Sequence, residues 1–355
     1  MTRKLAGYFF VAMLLVSIGA FAGEIRSGYR VLSPIRHGNL AIFPVVAGST
    51  HDTSQFITLD EGLKSGEVVV TEAGRITPLI RRGPRPIPRG GAEVNRLVLV
   101  NNSDHPLLLL AGEIVTGGKQ DRVIGKDRLI PAHSDPVDLS VFCVEPGRWT
   151  EMSTNFKTMG SQMAQPSVRN QAMAKKDQQA VWDSVAVARE GAAVGGAAPV
   201  AAELHATSSY ARVMENKEVQ KRVDEIAAPM QRDYQSLIRE LRSRNAVGVV
   251  AAVNGRIIWA DIFASTTLLE KYWPKLVRSY AAEAMVVRTT FAPEKEDQRA
   301  AQAFLDDLDG RRQTSEVEPG VFRHTEISGD GFKVFELTSL LPKTGYDLHI
   351  AKAAE

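Results

Sequence analysis

The apolar residues change their spacing once, near residue 150, and that change restricts the possible folds more than any other feature of the sequence. From about Tyr29 to Trp149 they come in short β-rich runs, such as "NLAIFPVV", "GEVVVTEA" and "VNRLVLV", each ended by Gly, Pro or Asn. One short helix is expected among them, in "TLDEGLKSG" with Gly66 as its stop. From about Gln162 to Arg189 the pattern turns helical, clearest in "NQAMAKKDQQAVWDSVAVARE". Then Val219, Val223, Ile226, Met230, Tyr234, Leu237 and Leu241 step by three or four residues, one apolar stripe on a long helix. Pro229 within it predicts a kink or a break.

Strands return afterwards. "AVGVVAAVNGRIIWADIF" reads as a hairpin turning on Asn254-Gly255, a pair that tolerates positive φ at both turn positions. Thr267 and Glu270 form a candidate capping box for a helix through Tyr280. "EKEDQRAAQAFLDDLDG" reads as a helix closed by Gly310, and a last hairpin turns on Asp330-Gly331. Strands first, then helices, then mixed elements predict an α+β fold. Its strand-rich N-terminal half, residues 23–155, is expected as a sandwich or partly open barrel. This half packs on a helical plus β-hairpin C-terminal half, residues 156–355, an arrangement compatible with one integrated domain. The Ala/Gly/Pro tract near residues 190–203 reads as a flexible loop.

The N-terminus bears on location. Arg3 and Lys4 precede an uninterrupted apolar run, then Ala20-Phe21-Ala22, the three parts of a secretory signal peptide. Cleavage after Ala22 predicts an exported protein, periplasmic or extracellular, with no membrane insertion once the signal is removed. The alternative is an anchor formed by the uncleaved N-terminal helix. With 43 basic and 41 acidic side chains, the charge balance gives no case for a nucleic-acid partner. One cysteine, Cys143, excludes an internal disulfide framework.

Among local motifs, "LLLLAGEIVTGGKQDRVIG" comes nearest to known chemistry. A phosphate loop needs Gly, four residues, then Gly-Lys-Ser/Thr opening a helix. Here Gly118 is inserted before Lys119, Gln120 replaces the hydroxyl residue, and a strand follows. That excludes a nucleotide-triphosphatase reading. Gly117-Gly118 is expected to bend the strand. If the strand before it is regular, Glu113 shares the face of Leu107, Leu109 and Ala111 and wants a cationic partner, for which Lys119, Arg122 and Arg148 are candidates. "CVEPGRW" places Glu145, Arg148 and Trp149 around a Pro146-Gly147 turn. An Arg and a Trp beside a carboxylate make either an anion-binding, stacking corner or a pin for the strand end.

Other candidates are weaker. Alternation puts Cys143 with Val137, Leu139 and Val141 on the inward face, a core thiol rather than a nucleophile. His133, Asp135 and Asp138 sit among prolines and read as a surface turn, so no metal site is expected. The loop carrying Arg81, Arg82, Arg85 and Arg89 reads as exposed and solvated. No cofactor motif is present.

Four segments, "SPIRHGNLAIFPV", "LVLVNNSDHPLLLLAGEIVTGGKQDR", "VFCVEPGRW" and "VGVVAAVNGRIIWADIF", resemble the ARG (ADP-ribosylglycohydrolase) and Rhodanese-Phosphatase-superfamily-associated protein domain family. The resemblance covers nearly all of the mature chain. It implies no activity and no catalytic residues, only an association with ADP-ribose and phosphoesterase chemistry. Two function classes follow. In one, a small anionic, nucleotide- or ADP-ribose-like ligand is bound or processed by Glu113, Lys119, Gln120, Asp121, Arg122, Glu145, Arg148 and Trp149, with Glu113 the candidate general acid/base. In the other, the same residues are a structural polar network in a non-catalytic exported scaffold or interaction module.

Overall fold

The computed structural model describes residues 28–73, 93–241, 244–287 and 297–355. The expected signal segment and the Arg-rich Pro/Gly loop lie outside them. The fold is α+β, with a strand-rich N-terminal half that includes a curled sheet. Among the described residues no helix is long and apolar enough to cross a membrane.

The Asn254-Gly255 hairpin forms as expected, with φ of 52° and 75° at the two turn residues. Its strands, Ala246–Val253 and Arg256–Phe263, are the middle of a nine-stranded antiparallel sheet. On one side Ala246–Val253 pairs with Leu40–Ala47, which carries the short strands Tyr29–Val31 and Ile35–His37. On the other, Arg256–Phe263 pairs with Asp347–Ala354, followed by Phe332–Ser339, Phe322–Gly329 and Gly310–Glu318 at the edge. The N-terminal half thus donates three strands, Leu40–Ala47 and the two short ones, to the sheet built by the C-terminal half.

The curled sheet has six strands in the order Lys157–Met163, Glu113–Thr116, Arg122–Ile124, Val137–Cys143, Arg96–Asn101 and Val68–Glu72. A three-stranded sheet of Arg128–Ile130, Leu107–Leu109 and Ile57–Thr58 sits beside it. The short helix expected before Gly66 is present as Leu59–Ser65, opened by a Thr58/Glu61 capping box and closed by Gly66 in the left-handed region.

The main core lies between these sheets and the long helices. The apolar stripe forms the helix Lys217–Leu241, which continues through Pro229 without a break. Its deepest line is Val219, Val223, Ala227, Met230, Tyr234 and Ile238. Tyr234 stacks on Trp273 at 4.2 Å between ring centres, joining it to the helix Thr266–Val286. That second helix is capped by Ser265, whose hydroxyl accepts from Leu268 N, and not by the expected Thr267/Glu270 box. The next helix is Gln298–Asp306, capped by Asp297; Gly310 begins the edge strand and does not end this helix.

The Ala/Gly tract differs most from expectation. Helix Gln178–Val194 runs into it, and after Gly195-Gly196-Ala197 a second helix, Ala198–His205, begins. Alanine is the strongest helix former and Pro199 sits in the first turn, where its missing N–H costs nothing.

Candidate functional site

Two of the sequence motifs meet at one corner of the curled sheet. Gly117 and Gly118, with φ of 129° and 49°, turn the chain between the Glu113–Thr116 and Arg122–Ile124 strands, the bend expected from the sequence. A Cβ on Gly118 would lie 2.3 Å from Phe156 and 2.7 Å from the Glu72 carboxylate, so the close approach requires glycine there. The strand Val137–Cys143 pairs with Arg122–Ile124, setting Cys143 opposite Arg122 and the Glu145–Arg148 turn beside the bend.

Asp121 is the hub. One of its oxygens accepts from Gly117 N at 3.1 Å and from Arg148 Nη2 at 3.3 Å; the other accepts from Ser209 Oγ at 3.1 Å. Glu145 accepts from Asp121 N at 3.2 Å and meets Arg148 Nη2 at 2.5 Å. Gln120 donates to the Glu145 carbonyl at 3.2 Å, and Arg148 Nη1 donates to the carbonyls of Gly118 and Thr150. Burial, then the neighbouring Glu145 carboxylate, pushes Asp121 up to about 6. Outside this knot the Lys119 ammonium stands 5.0 Å from the Trp149 ring, and Trp149 is 44% exposed.

Arg122 is 0% exposed. Its Nε donates to the Val94 carbonyl at 2.7 Å and its Nη1 to the Asp121 carbonyl at 3.4 Å. Burial lowers its pKa, although Cys143, Glu72 and Asp121 act against that. Cys143 is buried, as its alternation predicts, and burial pushes its thiol up, opposite to what a nucleophilic thiolate needs.

Glu113 belongs to a different place. Gly112, at φ 93°, ends the strand assumed to be continuous: Leu107–Leu109 lies in the three-stranded sheet and Glu113–Thr116 in the curled one. Glu113 is therefore not on one continuous strand with Leu107 and Leu109, and its partner is none of Lys119, Arg122 and Arg148. Glu113, 0% exposed, accepts from Lys275 Nζ at 2.6 Å and from Leu110 N at 3.0 Å. Lys275 also meets Asp60 at 2.8 Å. Burial outweighs the lysine and raises the Glu113 pKa.

A third assembly carries none of the expected site residues. Arg169 forms two hydrogen bonds with Asp261, and Asp261 Oδ1 also accepts from His349 Nε2 at 3.1 Å. His349 Nδ1 reaches Asp127 at 2.6 Å, and Asp127 accepts from Ala111 N at 2.7 Å. Tyr280 Oη donates to Asp261, and the Arg169 guanidinium lies over the Trp259 ring at 4.5 Å. All four charged members are 0% exposed. Faint signals were present: Asp261 interrupts "IIWADIF" and His349 interrupts "DLHIAKA", each a charged or titratable group in an otherwise apolar strand. Arg169, Asp127 and Lys275 carry no such signal. Elsewhere His133 pairs with Asp104 and Asp138 with Arg96, so the His133–Asp138 turn does not converge.

The family model of the ARG and Rhodanese-Phosphatase-superfamily-associated Protein domain matches residues 28–350. No curated protein and no solved structure matches the chain.

Proposed function

The chain belongs to the ARG and Rhodanese-Phosphatase-superfamily-associated Protein domain family, and on that footing we propose that it acts as a non-catalytic, exported binding or interaction module. In this reading the Gly-Glu…Gly-Gly-Lys-Gln-Asp-Arg and Cys-Val-Glu-Pro-Gly-Arg-Trp segments are a structural polar clasp. The observation that carries it is that Arg122 and Glu113 are sealed from solvent, while Arg148 is bound by Asp121 and Glu145. Groups committed to one another in the interior fix one packing arrangement, and are poorly placed to exchange partners with a ligand. Export rests on the apolar run followed by Ala20-Phe21-Ala22.

A second reading keeps the corner as the site of a small anionic, nucleotide- or ADP-ribose-like molecule. What favours it is that Arg122 Nη2 and Arg148 Nε are buried without an acceptor, and that Lys119 and Trp149 face outward beside them. The family's association with ADP-ribose chemistry points the same way.

Thermal melts of the mature protein with ADP-ribose, nucleotides, sugar phosphates and divalent metals separate the two. A ligand bound only by the folded state raises the melting temperature by mass action. The clasp reading expects no shift from any of them, and Arg122→Ala that lowers stability and nothing else. A shift with ADP-ribose that disappears in Arg148→Ala overturns it.

A further inference from the structure

The outer face of the nine-stranded sheet changes character along its length. Where the helix Gln298–Asp306 covers it, Ala301 and Leu305 belong to one buried apolar cluster with Ile327, Val334 and Ile350. Two residues further along the same strands, beyond the helix, the face turns polar and opens into a groove of about 890 Å³. Its floor is two rows of cross-strand neighbours: Thr314, Thr325 and Glu336 in one, Arg323, Thr338 and Asp347 in the other. None of the residues of the motif corner lines it.

We infer that this groove binds a neutral polyhydroxylated ligand, a short saccharide of two or three rings. The inference rests on the reading of the chain as a binding module and gives that module its site.

Four observations carry it. Its volume falls within the roughly 300–1,000 Å³ typical of small-molecule sites. Its charges balance, because Arg312 and Arg323 share the groove with Glu336 and Asp347, so a polyanion meets repulsion as well as attraction. Its donors and acceptors alternate at close range: Arg312 Nη1 lies 3.1 Å from Glu336, Thr338 Oγ1 donates to Asp347 at 2.6 Å, and Thr314 and Thr325 hydroxyls are 3.3 Å apart. A sugar hydroxyl donates and accepts at once, so it can meet the spare lone pairs and N–H groups of such a row, whereas an apolar ligand displaces their water and returns no hydrogen bond. Finally, the rim carries a ready-made stacking surface. His51 and Tyr346 lie 3.9 Å apart and 9° from parallel. The Tyr346 hydroxyl is tied to the Asp52 carbonyl at 2.8 Å and His51 N to the Ala264 carbonyl at 2.9 Å, so the pair is held in place before any ligand arrives.

The test is isothermal titration of the full mature chain with neutral trisaccharides of glucose, galactose and N-acetylglucosamine, with ADP-ribose and a sulfated trisaccharide in parallel. At least one neutral trisaccharide is expected to bind. His51→Ala, a change at an exposed residue, should weaken it up to about tenfold, the scale of one lost stacking contact, while the melting temperature falls only by what the exposed His51–Tyr346 stack contributes. Glu336→Gln should weaken it as well. The proposal is overturned if no neutral trisaccharide binds, if only the sulfated one does, or if binding ignores both variants. ADP-ribose binding that Arg148→Ala removes defeats the clasp reading, whatever the saccharide titrations give, so the two failures are distinguishable.

Discussion

Arg169 and Asp261 face each other in the interior through two hydrogen bonds of 3.0 and 2.9 Å, with no solvent on either side chain. A buried pair of this kind contributes little net stability when intact, because desolvation offsets the attraction. Its loss is costly, because one charge is left alone in the interior. Arg169→Ala leaves Asp261 to share the single His349 imidazolium with Asp127, and should lower unfolding free energy in urea by about 3–5 kcal/mol. A loss below about 1 kcal/mol, the scale of an exposed pair, would show that His349 alone is enough to neutralise Asp261.

Glu113 and Lys275 allow the same question to be asked as a double-mutant cycle. Lys275→Met leaves Glu113 and Asp60 without their shared cation, and should cost a few kcal/mol, on the order of 3–5. Adding Glu113→Gln removes the stranded carboxylate, so the double variant should recover part of that loss. Strict additivity of the two single effects counts against direct coupling.

His349 makes the interior chain pH-dependent. Burial pushes its imidazole down, but Asp127 and Asp261 outweigh that and raise it from 6.5 to about 9. A raised folded pKa contributes stability that is complete below about 6.5 and is lost as pH rises through about 9. Unfolding free energies from urea titrations across that window should therefore fall on the order of a few kcal/mol further in the wild type than in His349→Gln. Parallel alkaline losses in both proteins would remove His349 as the cause.

Asp121 gives a second window of the same sign. Its carboxyl is raised to about 6, so the contribution of its protonation is present at acid pH and lost as pH rises through that value. Asp121→Asn keeps an acceptor for Gly117 N and cannot ionise. Its stability deficit against wild type should shrink as pH goes from about 4 to about 8, a trend followed by thermal melts at each pH.

Gly112 and Gly147 both sit at positive φ, 93° and 90°, yet only one is crowded. A Cβ at Gly112 would meet Arg169 Cγ at 2.6 Å, whereas at Gly147 nothing lies within 4 Å. Gly147→Ala should cost about 1–3 kcal/mol from backbone strain alone. Gly112→Ala should cost clearly more, because it also displaces the arginine that holds Asp261. Equal costs would contradict the packing described around Arg169.

What was legible in the sequence is what short stretches decide by themselves. Asn254-Gly255 turns a hairpin, Gly66 stops a helix, and Gly117-Gly118 bends a strand, because each requires a local backbone conformation. Alternation placed Cys143 inside for a similar reason. The Ala/Gly tract departs from the expected loop because its alanines, supported by neighbouring helices, outweigh its glycines. The charged assemblies were out of reach for another reason. Glu113 and Lys275 are 162 positions apart, Arg169 and Asp261 are 92, and Asp127 and His349 are 222. No spacing rule relates such residues; only the packing of the sheets on the Thr266–Val286 helix brings Lys275 and Tyr280 to them.

The place of Leu40–Ala47 beside Ala246–Val253 has a consequence for the order in which the chain assembles. The Asn254-Gly255 hairpin closes a two-residue loop and can form within microseconds. Its partner strand must be captured across some 200 intervening positions, at a substantial cost in chain entropy. The hairpin is therefore the template and the early strand the late arrival. Until residue 246 is available, Leu40–Ala47, apolar and buried along nearly all its length, has only the short strands Tyr29–Val31 and Ile35–His37 to pair with. That interval leaves an apolar strand of the nascent chain exposed to aggregation.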